Sequence, residues 1–232
     1  EPNAIKGPAQ ITFHAQSGNN LLIIGQRSDV SMGIIFSSIL SLSASYRPGT
    51  IQFTVLDGST PDTGHTAQLE ALSMALPHKV DIIAYRDIPE AVLEFDRALD
   101  NRQNEEGASE CSPIFLIVFG LQRLRMLRES DEFDFSTDQS DQKTPEKAFV
   151  NILRDGPQNN MHSIIWCDSL NNLNRSLSRK TIKEFELNVL FQMSATDSAE
   201  LIDSPAASRL GLYTALLFAE RGGIMEKFRP YA

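Results

Sequence analysis

Short, uninterrupted apolar runs alternate along the chain with longer segments whose apolar residues return every three or four positions. Runs at 20–24, 50–56, 80–84, 114–119, 162–167 and 189–193 predict six strands, and 215–219 followed by Gly222-Gly223 predicts a late hairpin. The runs lack apolar/polar alternation, which is what a sheet covered on both faces requires. Between them, 30–46 places Met32, Ile35, Ile39, Leu40 and Leu42 on one broad face and stops at Arg47-Pro48-Gly49. Segment 88–103 sets Ile88, Val92, Phe95 and Leu99 at helical steps, and 144–156 opens with Thr144 as cap and Pro145 in the first turn. Alternating strand and helix predicts an α/β domain. Its sheet is mostly parallel and flanked by helices on both faces, with a C-terminal β-hairpin.

Composition narrows this further. The 232 residues, 41% hydrophobic, suit one large domain over 1–232, with no internal repeat or linker to divide it. Twenty-one Lys and Arg against 30 Asp and Glu leave a net charge of −9. Direct contact with DNA, RNA or anionic lipid is therefore disfavoured for this module. Cys111 and Cys167 cannot make a disulfide scaffold, and no Cys/His cluster suggests a metal. No apolar run reaches the roughly 18 residues of a bilayer span. The opening Glu1-Pro2-Asn3, with neither initiator Met nor signal segment, predicts a cytoplasmic piece, the C-terminal module of a longer chain. One stretch departs from the pattern. Between Glu129 and Lys143, six acids (Glu129, Asp131, Glu132, Asp134, Asp138, Asp141) face one Lys. This predicts a disordered, solvated insertion, or one that docks on a basic partner through Phe133 and Phe135.

In open parallel sheets, ligands bind at the carboxyl ends of strands, where the first strand turns into a helix. Here that position reads Gly25-Gln26-Arg27-Ser28-Asp29-Val30-Ser31-Met32. A working phosphate loop has the form G-x-x-x-x-G-K-[ST], in which Lys reaches the β/γ-phosphates and the hydroxyl holds Mg²⁺. Aligning Gly25 with the first glycine puts Val30 at the second, Ser31 at the Lys and Met32 at the hydroxyl. No Lys occurs between Lys6 and Lys79, and Asp29 sets a carboxylate against any polyphosphate. A helix N-terminus with Arg27 and Ser28 still offers weak anion contact. In ATPases of this layout the metal-holding acids end a buried strand. The counterpart strand here, 114–119, ends in Phe119-Gly120. Loss of both the cation and the acid argues against intrinsic hydrolysis.

At this point the chain resembles the FtsK/HerA-type RecA-like P-loop ATPase domains, including the tandem modules of DNA translocases and type VII secretion motors. Thr54-Val55-Leu56-Asp57 is similar to the family's second strand, and Leu76-Pro77-His78 to a Leu-Pro-His before a strand. The helix from Asp87 through Phe95 and Leu99 to Arg102 resembles one ending in Glu-Arg-Arg. The run 114–124 resembles the Walker B strand with its acids replaced, and Met161 to Ile165 resembles the sensor strand. There Cys167-Asp168 stands for Thr-Gln. Residues 191–198 and 206–211 resemble the closing region. The resemblance implies a RecA-like fold and a vestigial nucleotide site at residues 25–32, rimmed by Asp57, Phe119, Gly120, Cys167 and Asp168. It implies no catalytic residue and no metal, and ATP held, if at all, weakly and without Mg²⁺. It also implies neighbouring ATPase modules of the same chain, a hexamer of the parent, and a peptide or protein segment in the old nucleotide cleft, lined by Val30, Met32 and Phe119. A motor domain whose site is completed by a neighbour in an oligomer is the alternative.

His162 and Cys167 are an odd number apart on one predicted strand and so face opposite sides, which removes a Cys/His pair. His65 is expected in a loop and 171–175 in a turn-rich loop. Asp57 either binds a ligand or caps its own loop. Trp166 is expected in the core. Arg123, Arg125 and Arg128 form either an exposed helix face or an arginine set supplied to a neighbouring module.

Overall fold

The computed structural model describes residues 8–59, 64–104, 111–129 and 143–231. The apolar runs become β1 (Leu21–Ile24), β2 (Gln52–Asp57), β3 (Lys79–Ile83), β4 (Ile114–Phe119), β5 (Met161–Cys167) and β6 (Leu187–Leu190). The expected hairpin is β7 (Ala215–Ala219) and β8 (Ile224–Phe228). Together they form one eight-stranded sheet in the order β3-β2-β4-β5-β1-β6-β7-β8. Every pairing from β3 to β6 is parallel, and β6-β7 and β7-β8 are antiparallel. β1 is thus a central strand with both ladders satisfied, which is why Leu22 and Ile23 show no exposure at all.

One face of the sheet packs α1 (Ser28–Ser45) and α2 (His65–Ala75); the other packs α3 (Ile88–Gln103), α4 (Pro145–Asp155) and α5 (Leu170–Ser176). α6 (Arg179–Ile182) and α7 (Ala195–Ile202) complete the described helices. α1 is long and apolar enough by length and composition alone to cross a bilayer, at mean hydropathy 1.2. Here it is a core helix: Val30, Met32, Ile35 and Ile39 are buried in the cluster that holds Ile23, Phe53 and Ile117.

Polar staples set the strand ends. Asn20 is fully buried, donates to the carbonyls of Leu153 (2.8 Å) and Glu184 (3.0 Å), and accepts from the Ser163 amide (2.8 Å). One side chain therefore ties β1 to β5 and to the approach of β6. Arg102, at the end of α3, donates to the carbonyls of Asn159 (2.9 Å), Asn160 (3.3 Å) and Ser112 (2.8 Å), holding the chain ahead of β4 and β5.

Several local expectations are corrected. Thr144 occupies the cap position of α4 but makes no capping hydrogen bond, and its hydroxyl is buried without a partner among the described residues. His65 opens a helix instead of lying in a loop, and residues 171–175 are helical because the Ser169 hydroxyl caps α5 by accepting from the Asn172 amide (3.4 Å). Arg123 and Arg125 lie in short 3₁₀ turns, so no helix face displays them. Of the acidic insertion, 130–142 lies outside the described residues. Its flanks are anchored: Glu129 accepts from the Ser178 amide (2.8 Å) and the Thr181 hydroxyl (2.9 Å), and Lys143 pairs with Asp96 (2.8 Å).

Candidate functional site

β1 ends at Ile24 and α1 begins at Ser28, so the connection is only Gly25-Gln26-Arg27. Five of the eight residues expected in a phosphate loop are therefore helical. The Ser31 amide already donates to the Arg27 carbonyl (3.1 Å), and Val30, Ser31 and Met32 are buried. The Ser31 hydroxyl, at the place where a working phosphate loop carries Lys, has no partner among the described residues. The backbone of Gly25 is committed: its amide donates to Cys167 (3.2 Å) and its carbonyl accepts from Trp166 Nε1 (2.9 Å). A Cβ on Gly25 would lie 2.3 Å from Phe191 Cδ2. The glycine at this turn thus makes room for an aromatic ring that follows β6.

Arg27 and Asp29 satisfy each other. Arg27 Nε (3.2 Å) and Nη2 (2.5 Å) donate to the two Asp29 oxygens, which holds that carboxyl below its ordinary range and raises the guanidinium. The Tyr213 ring lies 4.9 Å from the Arg27 guanidinium carbon. Asp29 is also a favourable first-turn acid for α1. Gln26 and Asp29 face solvent, and Ser28 is half-buried.

The floor and rim follow from sheet register. Asp57, Phe119 and Trp166 are consecutive partners across β2, β4 and β5, so their side chains share one face. Phe119 and Trp166 pack tilted at 31° with 4.4 Å between centroids, and His65 meets Phe119 edge-on at 5.1 Å. Where a metal-holding acid belongs there is a sealed aromatic layer, Phe119 being 1% and Trp166 2% exposed. Val30, Met32 and Phe119, expected to line an open cleft, are instead buried together in the core on the α1 side of the sheet. Gly120 (φ 83°) turns the chain after β4 in a conformation other residues rarely adopt. The Gly58 amide donates to Phe119 O (2.8 Å), and Arg123 Nη1 donates to Gly58 O (3.0 Å), closing the heads of β2 and β4 together.

Both rim carboxylates serve their own loops. Asp57 accepts from the Ser59 amide (2.8 Å), the Ser59 hydroxyl and the Thr66 hydroxyl (2.6 Å). Asp168 accepts from Ser169 Oγ (2.9 Å) and Asn172 Nδ2 (2.7 Å) at the start of α5. Burial pushes the Cys167 thiol up to about 12, so it is no nucleophile at neutral pH. Cys167 packs with Leu22 and Ile165 on one face of the sheet, while His162 stacks against Phe115 on the other, as their spacing requires. Burial holds His162 down to about 4 and also lowers His65, whose Nδ1 lacks a partner among the described residues. Among the described residues no three His, Cys, Asp or Glu side chains converge as metal ligands. Two contributors carry no sequence signal for this site: Phe191 and Tyr213 reach the β1 turn only through the order of strands.

No protein-family model and no curated protein matches the sequence. Solved structures do. The genome packaging NTPase B204 from Sulfolobus turreted icosahedral virus 2, in complex with ATP-gammaS, superposes with a TM-score of 0.56 at 11% identity, covering 95% of this chain and 100% of that one. Thermomonospora curvata EccC (ATPases 2 and 3), in complex with a signal sequence peptide, gives 0.64 at 14% identity, covering 92% of this chain and 37% of that one. The cytoplasmic domain of EssC gives 0.59 at 16%, covering 91% and 39%. The chain thus spans all of the packaging NTPase but little more than a third of these EccC and EssC chains. Central β1, the flanking helices and the closing hairpin are the fold that this chain shares with these ATPase structures.

Proposed function

We propose that this chain is a non-hydrolysing ATPase-fold module of a multi-module cytoplasmic motor, with a structural, regulatory or substrate-docking role beside modules that do turn over ATP. One observation carries this reading: the ground between the heads of β1 and β4, where triphosphate and metal chemistry would proceed, is filled by Phe119, Trp166 and Phe191 around a three-residue turn. A polyphosphate there meets no Lys, and the Arg27 guanidinium is already engaged by Asp29. Against the exposed start of α1, ATP would be held weakly and without Mg²⁺. That two of the solved neighbours, EccC and EssC, are longer chains supports a place among further modules; the signal sequence peptide on EccC supports a protein-moving motor, and the genome packaging NTPase a DNA-moving one.

Isothermal titration with ATP, with and without Mg²⁺, tests this directly. Trp166, the only Trp, reports the same site by its emission. The expected result is neither heat nor an emission change at micromolar ATP, and no phosphate release. Micromolar, Mg²⁺-dependent binding overturns the reading. A second reading, a motor domain whose site is completed by a neighbour, draws on the solvent-facing Gln26 and Asp29 at the α1 start and on the ATP analogue held by the packaging NTPase. It requires turnover that rises with protein concentration, which an assay across a hundredfold dilution reads out.

A further inference from the structure

The sheet ends on its two sides in open strands, β3 and β8. β3 pairs only with β2, and among the described residues no other backbone hydrogen bond reaches Lys79–Ile83. One row of its amides and carbonyls therefore faces outward, which templates pairing with another chain unless the strand is blunted. β3 holds no Pro, and its register with β2 runs without a bulge. What guards it is a pair of charges. Lys79 and Asp81 stand on one face, bonded to each other at 2.6 Å, with side chains 64% and 36% exposed. The other face carries Val80 and Ile82, both only partly buried, and Met74 at the end of neighbouring α2 is 83% exposed.

We infer that β3 is a self-pairing edge, which joins β3 of a second copy of this chain in antiparallel fashion with the two Val80 residues face to face. Symmetry and charge together select that occupant and that register. A two-fold axis perpendicular to the sheet keeps every residue on its own face, so facing residues must be an even number apart. With the axis at Val80, Lys79 of each copy faces Asp81 of the other, and the four charges alternate around a square. An axis at Lys79 or Asp81 sets like charges face to face, and one at Ile82 leaves Lys79 with no acid opposite. Parallel pairing sends the two charged rows to opposite faces. β8 fails the same test: Glu226 and Lys227 are one residue apart, so symmetric pairing never brings them together. Because the contact is isologous, it closes at two copies. The inference goes beyond the proposed function and holds whether or not ATP binds, because β2, β4 and β5 separate β3 from β1.

The test uses the full chain. Sedimentation across about 1–300 µM is expected to show a reversible dimer, weak as a small contact is, and loosened several-fold by high salt. Lys79→Asp and Asp81→Lys are each expected to weaken it at least about tenfold, because like charges then face each other. The exchange Lys79→Asp/Asp81→Lys is expected to restore it. So is mixing the two single variants, whose all-acid and all-base edges match; both rescues exclude misfolding as the cause of the loss. Val80→Cys in a Cys111→Ser background reads the register. Its two thiols meet at the axis, where facing Cα atoms lie about 4.5–5.5 Å apart, and an added oxidant links them as a disulfide. Ile82→Cys sets the thiols about 13 Å apart along the strands and is expected to give no link. A monomer at every concentration, an assembly indifferent to both single reversals, failure of the rescues, or linkage through Ile82→Cys in preference to Val80→Cys overturns the proposal.

Discussion

Gly25→Ala separates a glycine retained for packing from one retained for a phosphate. The added Cβ would stand 2.3 Å from Phe191 Cδ2 and 2.7 Å from Phe191 Cβ and Cγ. Carbon atoms settle near 3.5–4.0 Å, so both the ring and its root are too close by about 1 Å. Rotating the ring relieves the first contact and leaves the second, because Cβ is fixed to the backbone that follows β6. Either that backbone or the β1 turn must shift. Overpacking of this kind costs about 1–3 kcal/mol, and a shifted turn also weakens the Trp166–Gly25 hydrogen bond, worth about 1 kcal/mol. A total near 3 kcal/mol, with a urea slope of about 1–3 kcal/mol per molar, lowers the midpoint by roughly 1–3 M. Urea unfolding followed by Trp166 emission measures it. Phe191→Ala alone costs about 3–5 kcal/mol through its cavity. Combining the two is expected to cost at least about 1 kcal/mol less than their sum, because the smaller side chain accepts the new methyl. A Gly25→Ala loss below about 0.5 kcal/mol, or strict additivity, refutes the packing argument.

Two further outcomes follow from buried polar groups. Asn20→Ala strands two carbonyls and one amide away from water, and is expected to cost about 3 kcal/mol or more in the same urea assay, whereas Asn174→Ala on the surface costs little. His162 titrates near 6.5 when unfolded but only at about 4 when folded, held down by burial and by nearby His14 and Arg102. Between those values the unfolded chain binds the extra proton, so stability rises with pH across that window by about 3 kcal/mol, and is lost as pH falls through it. Urea midpoints at pH 7 and pH 5 should differ measurably less in His162→Gln than in the unaltered chain.

Much of the fold was legible because it rests on runs. A strand buried on both faces has no choice but to be apolar throughout, and all eight strands leave that mark or a turn beside them. α1, α3 and α4 show their seams for the same reason. α2, α5 and α7 leave little mark on the sequence because their burial is thin: α5 sinks only Leu170, Leu173 and Ser176, and its start is decided by one hydroxyl, Ser169. At the candidate site, the absent Lys and acid could be read directly from residues 25–32 and 119–120. What stands in their place could not. Phe191 and Trp166 reach Gly25 across well over a hundred residues, contacts that exist only once the strand order is known.

That order has a consequence for the newborn chain. β1 emerges early, yet its two partners, β5 and β6, end at Cys167 and Leu190. At about 5–20 residues per second, the apolar tetrad Leu21–Ile24 waits on the order of 10–30 s with nothing to pair with. β2, β3 and β4 pair with one another and, through β4, with β5, so they can assemble during that interval while β1 still lies outside the sheet. The innermost thread of this sheet is spun before the other seven and woven in late.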